Sequence, residues 1–89
     1  VFDEFGIYTT HRFTAAQISE ALGKLSNFAE YGQVLRAKGI VEGENGRWLH
    51  FDYVPGEPEV REGTAETSGM LCVIGVGLDR EAISELFGI

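Results

Sequence analysis

Arg36 and Lys38 are the charged residues whose spacing first invites a chemical reading. They lie in Val34-Leu35-Arg36-Ala37-Lys38-Gly39-Ile40-Val41, and residues two apart share one side of an extended strand. By simple alternation Val34, Arg36, Lys38 and Ile40 make one face, and Leu35, Ala37, Gly39 and Val41 the other. The second face is apolar, small in its middle, and suited to a helix packed close over a sheet. The first is a basic strip. If the next apolar stretch is the neighbouring strand, Trp48, His50 and Asp52 join that strip. Cations beside an aromatic side chain can form a contact patch for another protein or for an anionic ligand. The strip reads equally as a second, partly covered sheet face on which Lys38 pairs with Asp52.

Other residues capable of chemistry do not assemble into a catalytic set. His11 and His50 lie on separate strands with no Cys or acid at a recognisable metal spacing. A zinc site built from His11, His50 and Asp52 is geometrically possible, but a solvated polar face explains His50 and Asp52 more simply. Gly75-Val76-Gly77 precedes a helix, yet it lacks lysine and the rest of either glycine-rich phosphate fingerprint, and reads as a tight turn. Cys72, the only cysteine, sits within Met70-Leu71-Cys72-Val73-Ile74 and reads as an inert, buried thiol. No nucleophile or base has a supporting partner, so the residues point away from an enzyme.

Composition narrows the classes further. Eighty-nine residues with 44% hydrophobic content are enough for one ordered domain with its own core. Fourteen acids against seven bases give a charge of −7, which argues against nucleic-acid binding through a general field. One cysteine excludes an intramolecular disulfide framework and fits a reducing, cytoplasmic setting. The longest apolar run is too short to cross a bilayer, and no signal peptide opens the chain. Val1-Phe2-Asp3-Glu4 lacks an initiator methionine and reads as the start of a fragment of something longer.

The elements that must position these residues follow in order. Phe5 to Arg12 is a first strand, rich in β-branched and aromatic residues. Thr14 and Gln17 form a capping box, and Ile18, Ala21, Leu22 and Leu25 a buried stripe, which predicts a helix over about residues 14–29, stopped by Gly32. The strip strand then leads to a hairpin. A three-residue loop, Glu44-Asn45-Gly46, places Phe51 opposite Gly39, Tyr53 opposite Ala37 and Asp52 opposite Lys38. Gly46 suits the positive φ that such a loop requires, and a two-residue turn would mix the faces. Pro55 to Glu59 reads as a turn or exposed loop, Val60 to Glu62 as a short edge strand, and Gly63 to Gly69 as the most mobile stretch. Met70 to Val76, apolar on both parities, reads as a central strand covered on both faces or nearly so. Asp79 caps a last helix with Ile83, Leu86 and Phe87 inward, ended by Gly88. The order β-α-β-β-(β)-β-α predicts an α+β two-layer sandwich, two helices on a mostly antiparallel sheet of four or five strands.

Three segments resemble the C-terminal domain of the CobW-type P-loop GTPases, a family linked to cobalamin biosynthesis and metal delivery. They are Arg12-Phe13 at the strand-to-helix entry, Leu35-Arg36-Ala37-Lys38-Gly39, and the closing Cys72-Val73-Ile74-Gly75-Val76-Gly77-Leu78-Asp79. Arg12 runs directly into Phe13 where the family usually has an intervening proline. The resemblance implies a preceding GTPase domain in the same polypeptide, holding GTP, magnesium and a transition metal such as zinc or cobalt. None of those sites falls within these 89 residues. It implies accessory work here: packing on the GTPase domain, responding to nucleotide, or docking a metalloprotein acceptor. On that view Arg36, Lys38, Trp48, His50 and Asp52 are the contact residues, with no nucleic acid or membrane as partner. A different class, a free-standing small-molecule-binding regulatory module, would bind its ligand on the same kind of sheet face.

Overall fold

The computed structural model describes all residues, Val1–Ile89. Its strands are β1 (Asp3–Thr9), β2 (Arg12–Phe13), β3 (Gln33–Gly43), β4 (Trp48–Val54), β5 (Glu57–Gly63) and β6 (Gly69–Val76). Its helices are α1 (Ala15–Lys24), α2 (Phe28–Tyr31) and α3 (Arg80–Leu86). The strands form one sheet in the order β1-β6-β3-β4-β5, with β2 paired to the end of β3. Every pairing is antiparallel except that of β2 with β3. Strands β1 and β3 therefore run parallel with β6 inserted between them, a split β-α-β unit whose crossover carries α1 and α2.

The fold is the two-layer α+β sandwich that the residue pattern predicts, with a more divided chain. The expected first strand breaks at Thr10-His11, so Phe5–Arg12 becomes β1 and the short β2. The expected 14–29 helix also divides. Thr14 Oγ1 accepts from the Gln17 N–H (3.1 Å) and Gln17 Oε1 from the Thr14 N–H (2.9 Å), which completes the capping box. The helix then ends early, with Leu25 as its C-cap. The Ser26 hydroxyl donates to the Gly23 carbonyl (3.3 Å), a local bond that competes with helix continuation. A single turn, α2, follows from Asn27 and stops at Gly32, whose φ is +83°.

All three helices serve one side of the sheet. Ile18, Ala21, Leu22 and Leu25 of α1 and its C-cap join Val41, Phe51, Leu71, Val73, Ile83 and Phe87 in a core of 16 apolar residues, with no buried charge among them. Each large side chain removed from water contributes roughly 1.5–3 kcal/mol, so this single layer holds the fold together. Asp3 ties the chain's start to its end: its Oδ2 accepts from the Leu78 N–H at 3.1 Å. Arg80 lies over the Phe5 ring, 5.2 Å from its centre. At α3, Asp79 Oδ1 accepts from the Ala82 N–H at 3.0 Å, and Gly88 ends the turn at φ +74°.

The β3–β4 register is the predicted one. Phe51 pairs with Gly39, Tyr53 with Ala37 and Asp52 with Lys38, across a loop in which Gly46 has φ +82°. Two expectations are corrected. The turn or loop expected over Pro55 to Glu59 is only the two-residue turn Pro55-Gly56, with Gly56 at φ +81°, and β5 already begins at Glu57. Pro58 fits there because β5 is an edge strand, where a missing N–H need not break a ladder. The alternation of β3 is also interrupted. Between Val34 and Arg36 the register against β6 shifts by one residue, a β-bulge. Val34 therefore turns into the core (1% exposed) and Leu35, expected inward, is only half-buried.

Candidate interaction face

The side of the sheet away from the helices is uncovered. On β6, Leu71 and Val73 are buried under the helices, whereas Met70, Cys72 and Ile74 on the other parity are only half-buried. The expectation that β6 is covered on both faces is thus corrected: its apolar outer residues have neighbours along the sheet but no layer above. Cys72 accordingly is half-buried rather than fully enclosed.

Register builds this open face in rows. One row crosses the sheet as Tyr8, Met70, Ile40, His50 and Arg61; the next as Gly6, Cys72, Lys38, Asp52 and Glu59. Apart from Glu4, opposite Ile74, the β1–β6 half is apolar and the β4–β5 half charged, with β3 as the border. Arg36, Lys38, Trp48, His50 and Asp52, the residues singled out from the sequence, all lie on this face. Trp48 stands apart at the end, half-buried beside Glu42 and Gly63.

The ion pairs differ from those the strand pattern suggests. Asp52 is not paired with Lys38. Its carboxylate takes Arg36 (Nη2–Oδ1 3.8 Å) and Arg61 (Nη1–Oδ2 3.2 Å), and Arg61 also reaches Glu59 at 3.2 Å. Guanidinium geometry explains the outcome, since a fork reaches a carboxylate diagonally across the pleat where an ammonium remains a point charge. Lys38, opposite Asp52 in register, has no carboxylate within 4.0 Å. These are exposed pairs, each worth about 1 kcal/mol or less, so they arrange charge more than they stabilise the fold. Glu59 escapes a sequence reading that takes Pro55–Glu59 as turn or loop, and Arg61, although in the expected edge strand, has no register to Asp52 until β5 is seen to start at Glu57. The parity of β6 relative to β3 was the available signal for Met70, Cys72 and Ile74.

Two shallow depressions flank the Arg36 and Lys38 side chains. One of about 340 Å³ is lined by Ile40, His50, Asp52 and Arg61 among others, and one of about 120 Å³ by Cys72 and Ile74. His50 Nε2 lies 2.9 Å from the Thr64 carbonyl oxygen, which fixes its ring over Gly63. His11 is elsewhere, edge-on to Phe13 at 4.6 Å and beside the α1–α3 groove. The His11–His50–Asp52 zinc arrangement therefore does not form, and no three His, Cys, Asp or Glu side chains converge as a metal-binding group. Gly75 and Val76 are the last residues of β6, so the bend begins only at Gly77, with φ +61°, and the helix N-terminus beyond it is already capped by the Asp79 carboxylate. No helix is long and apolar enough to cross a membrane.

A family model described as the cobalamin synthesis protein cobW C-terminal domain matches residues 2–88. The fold is similar to the Zn(II)-bound YjiA GTPase from E. coli (TM-score 0.72, 18% identity) and to a Zn(II)-bound triple mutant of YjiA GTPase (TM-score 0.76, 16% identity). Each alignment covers 97% of this chain and 28% of the solved chain, so the chain spans little more than a quarter of the proteins whose fold it shares. No curated protein matches it.

Proposed function

Because the chain belongs to the family of cobW C-terminal domains, we propose that it is the accessory, protein-interaction domain of a CobW-like GTP-dependent metallochaperone. It performs no catalysis of its own. Its partner is the GTPase domain of the same polypeptide, or a metalloprotein acceptor that the pair serves in metal delivery or cobalamin biosynthesis in the cytoplasm. GTP, magnesium and the transition metal, zinc or cobalt, belong to that GTPase domain. The residues here are poorly suited to hold them: a carboxylate caps the helix N-terminus a phosphate would need, and no metal-binding trio converges.

One observation carries the reading. Helices cover a single face of the sheet, and the other carries Ile40, Met70, Cys72 and Ile74 beside a lysine without an acid partner. A partly apolar face bordered by an unpaired cation suits a protein surface that brings apolar side chains and one carboxylate. Small-molecule binding on the same face would instead use the depressions around Arg36 and Lys38. The experiment is the double substitution Arg36→Ala/Lys38→Ala in the longer polypeptide. A changed GTPase rate or weakened affinity for the GTPase domain or acceptor is the expected result; no change in either would remove the assignment.

A further inference from the structure

We propose that β1 is a pairing edge, and that it adds to β1 of a second copy of this chain, antiparallel about Phe5, so that two sheets become one. This inference stands independently of the docking role of the open face. The two edges of the sheet are unequal. The β5 edge is Glu57-Pro58-Glu59-Val60-Arg61-Glu62-Gly63, and proline with alternating charge is how natural sheets block strand addition. The β1 edge is Asp3-Glu4-Phe5-Gly6-Ile7-Tyr8-Thr9, seven residues without proline, lysine or arginine and without charge after Glu4. β6 is its only ladder partner, so one side of its backbone is left open. Large apolar side chains bracket that side: Tyr8 is 75% exposed, and Phe2, just before the strand, 68%.

Self-complementarity selects a second copy as occupant. A twofold axis at Phe5 sets Phe2 opposite Tyr8 of the other copy, Asp3 opposite Ile7 and Glu4 opposite Gly6. Both aromatic pairs then form and no carboxylate faces another, as favourable cross-strand pairing requires. An axis at Glu4 opposes two carboxylates, and an axis at Gly6 loses the aromatic pairs. The seam is short, so association is concentration-dependent rather than permanent. Each copy carries −7, so salt strengthens the pairing by screening repulsion.

The test is the mass of this chain by sedimentation equilibrium, at low and high salt and over a range of concentrations. The expected result is a rise from 9.8 kDa toward twice that value, larger at high salt, and abolished by Tyr8→Glu. Register is read separately by oxidative cross-linking in a Cys72→Ser background. Phe5→Cys cross-links because the twofold places it opposite itself, whereas Thr9→Cys, far from the axis, does not. A chain monomeric under all conditions overturns the proposal. So does a dimer that survives Tyr8→Glu, or equal cross-linking at the two positions.

Discussion

Phe51 lies over Gly39 so closely that a Cβ added at Gly39 would sit 2.5 Å from the ring's Cζ and 2.7 Å from the Met70 carbonyl oxygen. The two residues are directly paired across β3 and β4. The glycine is there because a neighbouring aromatic fills the space its side chain would occupy. Gly39→Ala forces the buried Phe51 ring, 1% exposed, out of a close-packed core that also holds Phe87, 6.0 Å away centre to centre. Overpacking of this kind costs about 1–3 kcal/mol, and chemical denaturation should show the loss as a lower midpoint.

The Asp52 carboxylate holds two guanidiniums, so its removal should change the charge of the open face more than the stability of the fold. Asp52→Asn is expected to lower stability by about 1 kcal/mol or less, while releasing Arg36 and leaving Arg61 to Glu59. Arg36 and Lys38 then form an unpaired basic pair on the open face. Binding of an acidic partner surface to the variant should quicken and become more salt-sensitive, which association kinetics at two ionic strengths would show.

Tyr53 is 2% exposed, and its hydroxyl is buried with no hydrogen-bond partner. Removing it relieves an unsatisfied group rather than breaking a bond, so Tyr53→Phe should be neutral or stabilising by about 1 kcal/mol. Burial also pushes the phenol above its ordinary value of 10.0. The folded state thus keeps it neutral at a pH where the unfolded chain has begun to ionise. Stability is therefore unaffected by this group below 10.0 and falls as pH climbs from there through the raised folded value. Tyr53→Phe should flatten that alkaline fall in thermal stability.

The hairpin from β3 to β4 was readable from sequence because two independent constraints agreed. Face matching of Phe51 and Tyr53 and the turn chemistry of Gly46 both selected the three-residue loop and so one register, although the Lys38–Asp52 ion pair expected from it does not form. The capping box at Thr14 and Gln17 was equally plain, since its residues lie only three apart in sequence. The bulge at Val34–Arg36 was not readable. A single extra residue leaves Val34 and Leu35 both apolar, so composition gives no sign of which one turns inward; only the pairing with β6 decides it. Likewise Met70 to Ile74 is apolar on both parities, yet that pattern does not say whether a second layer exists. The β5 neighbours of Asp52, Glu59 and Arg61, escaped for a third reason: Pro58 looks like loop until its place on the sheet edge is known. The candidate face was therefore half visible, its β3 and β4 residues by alternation, its β5 and β6 residues only through the sheet order.

Cys72 provides the most direct test of the proposal that the open face docks on a GTPase domain. It is the chain's only thiol, and it lies on that face between Lys38 and Gly6. Its alkylation rate should be measured by mass spectrometry of the Cys72 peptide, in this chain alone and in the longer polypeptide. Docking predicts a thiol that reacts in the isolated domain, is strongly protected in the longer protein, and is exposed again by Lys38→Glu. Equal rates in both settings would mean that this face stays open to solvent, and would contradict the account.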